Sequence, residues 1–123
     1  MAGCGHESEQ QPKPTFVVWR TVWSWTGHGD YQSESFNESG EWRIKWETHN
    51  EKPPGTGRFK VTVSSAVSGR SILVPIDHKG EGHNIAYIRD EPRPYYLVID
   101  SSNIDWSVTV EEPGISTKQP TAE

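Results

Sequence analysis

Two polar loops carry the residue types that do chemistry. One reads Asp77-His78-Lys79-Gly80-Glu81-Gly82-His83-Asn84 and the other Gly27-His28-Gly29-Asp30. Neutral imidazoles and carboxylates are the ligands of zinc and similar ions. Asp77, His78 and His83 are therefore the metal candidates. Yet His78 and His83 stand five apart in a glycine-bearing loop, a spacing that matches no known ligand pattern, and turns are rich in polar residues because they are solvated. Asp100, Asn103 and Asp105 offer the hard oxygens that calcium requires, but no glycine-bearing loop with alternating Asp surrounds them. The expectation is that no metal and no cofactor is held. For nucleophilic catalysis the chain offers no G-x-S-x-G elbow. Its one cysteine, Cys4, has no scaffold around it to activate a thiolate. Asp and Glu are plentiful, but nothing in the sequence places two of them together as a hydrolase requires. The expected class is a non-enzyme.

Binding is the remaining chemistry, and tryptophan is its carrier. Six of the 123 residues are Trp. Trp19, Trp23 and Trp25 share one parity of an extended segment, while Val18 and Val22 share the other. An outward strip of such rings stacks on sugars or anchors an interface. The competing explanation is a strand covered on both faces, since Trp is highly buried on average. His28 and Asp30, just beyond, complete the ligand-binding candidates.

Charge narrows the partners. The formal net charge is −5 and no basic run occurs. Phosphate backbones require clustered Lys and Arg, so nucleic acid is not an expected partner. No apolar run approaches the roughly 20 residues that span a bilayer. A single cysteine excludes an intramolecular disulfide and a zinc site of several thiolates.

The elements that position these residues are strands. Trp42-Arg43-Ile44-Lys45-Trp46-Glu47 alternates apolar and charged residues without a break, the period of a half-buried strand. The pattern returns over residues 59–64 and 104–111. Further strands are expected over 16–26 (one bent strand or two), 32–36, 71–76, 84–88 and 95–100. Pro75 marks residues 71–76 as an edge or bulged strand. Asn37-Glu38-Ser39-Gly40 reads as a hairpin loop with glycine free to take a positive φ, and 77–83 as a loop. About eight short strands with turn signals every 8–12 residues, and no stripe of period 3.6, indicate an all-β antiparallel β-sandwich. Trp42, Trp46 and Trp106 belong to its core. The expected organisation is a polar, proline-bearing tether over 1–14, one domain over 15–112, and a flexible tail over 113–123.

Two resemblances add to this. Ala2-Gly3-Cys4-Gly5 resembles the lipobox of bacterial lipoproteins, which implies lipid on Cys4, a membrane as partner and an extracytoplasmic place in the cell envelope. The strand series from Glu34-Ser35-Phe36 through Tyr95-Tyr96-Leu97-Val98-Ile99 to Trp106-Ser107-Val108-Thr109-Val110 resembles small secreted modules of the pre-peptidase C-terminal and CUB-like kind. Pro94 stands where those modules carry glycine. That likeness implies a jelly-roll form of the sandwich and a non-catalytic binding or accessory role toward a protein or glycan. A self-associating surface lipoprotein, a metal-binding protein and a hydrolase are the alternatives.

Overall fold

The computed structural model describes residues 14–117. Cys4 and the lipobox-like residues lie outside them. Nine strands form among the described residues: β1 (Phe16–His28), β2 (Tyr31–Gln32), β3 (Phe36–Glu38), β4 (Glu41–His49), β5 (Arg58–Ser65), β6 (Ser71–Lys79), β7 (Gly82–Arg89), β8 (Arg93–Ser102) and β9 (Asp105–Ser116). They build two antiparallel sheets. Sheet A has the order β1-β9-β4-β7. Sheet B has the order β2-β8-β5-β6, with β3 also pairing β8.

β2 and β3 follow one another along β8 and act as one broken strand. Ser33 bridges the break: its amide donates to the Leu97 carbonyl, and its hydroxyl accepts from the Leu97 amide, both at 2.9 Å. Counted so, the first strand pairs the last, the second the seventh, the third the sixth and the fourth the fifth. This nested pairing is the jelly-roll winding, which divides eight strands between two packed layers.

The core lies between the layers. Alternation sends Trp42, Ile44 and Trp46 of β4 inward, opposite Phe59, Val61 and Val63 of β5 and Tyr95, Leu97 and Ile99 of β8. Trp106, Val108 and Val110 of β9 complete it. Trp42 packs against Tyr95 at 5.0 Å and edge-to-face against Phe36 at 5.4 Å, and Trp46 packs against Phe59 at 5.6 Å. The three tryptophans expected inside are inside.

Several local expectations need correction. Residues 37–40 are not a hairpin loop. Asn37 and Glu38 belong to β3, and the chain crosses there from sheet B to sheet A. Gly40 lacks a positive φ; a Cβ on it would strike the carbonyl of Asp90, whose amide donates to the Gly40 carbonyl. Glycine serves close approach there. Most of residues 77–83 is strand, with only Gly80 (φ 82°) and Glu81 left to turn between β6 and β7. Residues 113–116 pair with β1 as part of β9 and are not tail. Pro113 fits because β4 pairs β9 only as far as Glu111, so no ladder donor is missed on that side. Pro75 sits as expected: β6 is an edge strand, and Val74 and Pro75 together face Thr62 as a bulge.

Candidate functional site on the outer face of sheet A

One extra residue decides which tryptophans share a surface. Thr21 pairs with Glu111 and Trp23 with Val110, so Val22 is bulged out of the ladder. A bulge reverses side-chain parity beyond it. Trp19, before the bulge, joins the outer face. Trp23 and Trp25, after it, turn to the inner side. There they stack on each other at 6.1 Å and 12°, and Trp25 meets Phe36 at 6.0 Å. The three-ring strip expected from their common spacing therefore does not form.

Trp19 finds another aromatic partner. Its ring meets the edge of Tyr87 at 6.0 Å and 69°. β1 and β7 are opposite edges of sheet A, and three inter-strand gaps put their backbones roughly 14 Å apart. The two side chains thus reach toward each other over β9 and β4. Beneath them lies Arg43, with its guanidinium carbon 4.1 Å from the Trp19 ring and 6.0 Å from that of Tyr87. Its Nε donates to Glu111 Oε1 at 2.6 Å. The aromatic roof explains why this pair is covered, with side chains only 16% and 10% exposed, on a face that alternation assigns to solvent. Cation–π attraction and a desolvated hydrogen bond reinforce each other in such a place.

Two separate depressions flank the roof. The first, about 530 Å³, is walled by Val17, Trp19, Tyr87, Pro113 and Ile115, with the Glu41–Arg89 ion pair (3.2 Å) at its rim. Its apolar side chains are unusually open: Val17 is 56%, Tyr87 63% and Ile115 71% exposed. The second, about 700 Å³, is polar and is walled by Lys45, Glu47, His83, Asn84, Ser107 and Thr109. Strand register aligns Tyr87 with Arg43 and Glu111, then Ile85 with Lys45 and Thr109, then His83 with Glu47 and Ser107. The face therefore grades along β4 from aromatic to hydroxyl- and amide-bearing. None of Val17, Tyr87 or Ile115 stood out in the sequence. Only the strand register brings them together.

The other candidates fall into separate groups: His28 with Asp105, and Asp30 with Asp77 and Asp100 around one polar depression on sheet B. His28 Nδ1 lies 2.7 Å from Asp105 Oδ1, and Asn50 Nδ2 donates to Asp105 Oδ2 at 2.9 Å. These bonds, that of Asn50 first and that of His28 next, hold the Asp105 carboxyl below the usual range. Asn50 is well suited to its place, since it holds φ at 58°. Exchanging it for glycine keeps that backbone and removes the amide. Asn50→Gly is expected to move the Asp105 pKa up toward its ordinary 3.8, read by carboxyl NMR titration. An unmoved pKa would refute the assignment. Asp30 Oδ1 accepts from the Ser101 amide at 2.9 Å and caps a strand end.

His78 lies under Trp46 at 4.8 Å and against Gly82. His83 is on β7, at the opposite edge of sheet A from His28. Asp77 stands beside Lys60 on sheet B. Asp100 projects from sheet B and Asp105 from sheet A, so they do not converge as calcium ligands. Among the described residues no group of three or more His, Cys, Asp or Glu side chains is placed to hold a metal ion. No protein-family model, no curated protein and no solved structure matches this chain.

Proposed function

We propose that this chain is a non-catalytic recognition domain that binds a glycan along the outer face of sheet A. The observation that carries this reading is an exposed aromatic platform at Tyr87 with a polar depression next to it along the same face of β4 and β9. Sugar rings present an apolar C–H face and a rim of hydroxyls. Tyr87, buttressed by Trp19, offers a flat surface for the first. Ser107, Thr109, Asn84, Lys45 and Glu47 offer donors and acceptors for the second. Arg43 with Glu111 and Arg89 with Glu41 are paired, so this face suits a largely uncharged ligand. A few fixed polar groups around an apolar floor are the usual composition of a ligand site. The jelly-roll frame is consistent with the reading, because lectin domains use this winding.

The lipobox-like Ala2-Gly3-Cys4 supports an extracytoplasmic place with lipid on Cys4. Incorporation of labelled palmitate into the full gene product, abolished by Cys4→Ser, is the result expected for that part.

The glycan reading is tested with a glycan array followed by titration calorimetry of the best hit. Tyr87→Ala is expected to weaken binding about tenfold, the equivalent of roughly 1.4 kcal/mol, with the fold intact by circular dichroism. If no glycan binds, or if Tyr87→Ala binds as well as the parent, the reading is wrong. A protein captured in a Tyr87-dependent manner would replace the glycan by a protein ligand on the same face.

A further inference from the structure

The two sheets end in edge strands, and most of these edges are blunted. On sheet B, β2 and β3 are two and three residues long and the strand they make is broken at Ser33. At its other edge β6 carries Pro75 and a bulge. On sheet A, β1 carries the bulge at Val22. Short length, proline and bulges are the devices that keep an edge from pairing with another chain. β7, at the far edge of sheet A, has none of them. Its eight residues, Gly82 to Arg89, hold no proline and no lysine. They pair with β4 from Thr48 to Glu41 without a shift in register.

The groups that β7 turns to its open side follow from one hydrogen bond. The Ile85 amide donates to the side-chain oxygen of its neighbour Asn84 at 2.8 Å, and so not to β4. In an antiparallel ladder the N–H and C=O of one residue point the same way, and successive residues alternate. His83, Ile85, Tyr87 and Arg89 therefore direct their main-chain groups away from β4.

We propose that β7 is a self-association edge: two copies of this chain pair their β7 strands antiparallel about a two-fold axis at Ile85, joining their four-stranded sheets into one. Charge selects that register. Outward-directed residues must meet outward-directed ones for their main-chain groups to bond, and residues opposite one another share a face. Registers centred on Ile85 and on Ala86 satisfy this over nearly the whole strand. Centred on Ala86, Glu81 falls opposite Glu91 of the second copy, like against like. Centred on Ile85, Glu81 falls opposite Arg89 of the second copy, His83 opposite Tyr87, and Ile85 opposite its own equivalent. Arg89 is free to accept such a neighbour, since its side chain is 84% exposed even beside Glu41. About six main-chain hydrogen bonds form in this register, with Asn84 yielding the Ile85 amide to the second copy. The contact is isologous, as a closed dimer requires.

The pairing also extends the outer face of sheet A. Tyr87 meets Trp19 on one side and His83 of the second copy on the other, so each aromatic platform gains a residue from its neighbour. That consequence rests on the glycan reading; the association does not.

Sedimentation equilibrium on the full chain tests the dimer. The expected result is a mass that rises with concentration from 13.9 kDa toward twice that value. A mass that stays at 13.9 kDa up to about 1 mM overturns the proposal. Ile85→Pro removes an amide that makes no bond to β4, which an edge strand tolerates. It is expected to stay monomeric with its strand content intact by circular dichroism. Two charge variants test the register and decide the matter if Ile85→Pro does not fold. Arg89→Glu and Glu81→Arg each set like charges opposite one another in the homodimer, and each is expected to weaken association about tenfold. Mixed together they are expected to form a heterodimer, seen by native mass spectrometry, because every Glu then meets an Arg. That recovery separates the interface from the bonds these residues make within one copy, Arg89 to Glu41 and Glu81 to the Glu51 amide. A dimer that Ile85→Pro leaves intact, or charge variants that fail to prefer each other, overturns the β7 pairing. A dimer that binds no glycan would sink the function alone, and a glycan-binding monomer would sink the dimer alone.

Discussion

Arg43→Ala is expected to destabilise the protein by about 3 kcal/mol, the lower end of what breaking a covered ion pair costs. The loss arises less from the attraction removed than from the charge left behind. Glu111 would keep its carboxylate under Trp19 and Tyr87 with its guanidinium partner gone. Water is the only substitute, and the roof that excludes water is itself built on the guanidinium. Replacing both partners by apolar residues, Arg43→Met with Glu111→Leu, is expected to return stability to within about 1 kcal/mol of the parent, because no charge is then stranded. Urea titrations of the single and double variants form the decisive cycle. A single-variant loss below about 1 kcal/mol would place the pair among ordinary surface ion pairs and would dismiss the roof as a covering. The same single variant should weaken binding at Tyr87, since Trp19 and Tyr87 would meet over an empty space.

Trp106→Ala carries the second large effect, about 3–5 kcal/mol. Trp106 is fully enclosed between the sheets, near Phe59 at 6.2 Å and Tyr31 at 5.8 Å. Removing an indole there opens a void that rigid strands on both sides cannot fill. Trp106→Phe separates packing from polarity. One six-membered ring survives, while the rest of the indole goes together with the Nε1 donor to the Gly29 carbonyl (2.9 Å), the donor alone being worth about 1–2 kcal/mol. Gly27 approaches the same indole from β1, and a Cβ there would lie 2.6 Å from Trp106 Cζ2. Gly27→Ala is therefore expected to cost about 1–3 kcal/mol through overpacking. Chemical unfolding of the three variants tests the set. Equal losses for Trp106→Phe and Trp106→Ala would show that the hydrogen bond, not the volume, dominates.

The interior was legible before any coordinates because it depends on a local rule. In β4, β5 and β9 every second residue is apolar, and alternation alone sends Trp42, Phe59 and Trp106 to one side. The placement of Pro75 followed from an equally local fact, the missing donor of proline. The reading of β1 failed for a reason of the same kind. A regular strand would keep Trp19, Trp23 and Trp25 on one side, and the bulge at Val22 inverts that parity. Nothing in Thr21-Val22-Trp23 announces a bulge, because it is the pairing partner, β9, that decides whether a residue is left over. The loop expected at 37–40 failed because a crossing between sheets and a hairpin use the same turn residues.

The candidate site was the least legible part. Arg43 and Glu111 read as residues of a wet face, and their alternation with apolar neighbours is what exposes them to that expectation. Their burial comes from two rings on strands far apart in sequence, Trp19 near one end and Tyr87 in the second half of the chain. Glu38 likewise read as a solvated turn residue, whereas its backbone belongs to β3 and its carboxyl to the interior.

Alone, the order of residues determined that this chain is an all-β sandwich and which residues fill it, because period-two alternation and proline chemistry act within a few positions. The nested winding and the aromatic roof over Arg43 and Glu111 were decided only by tertiary structure. Each depends on register between strands separated by tens of residues, and a single bulge resets that register.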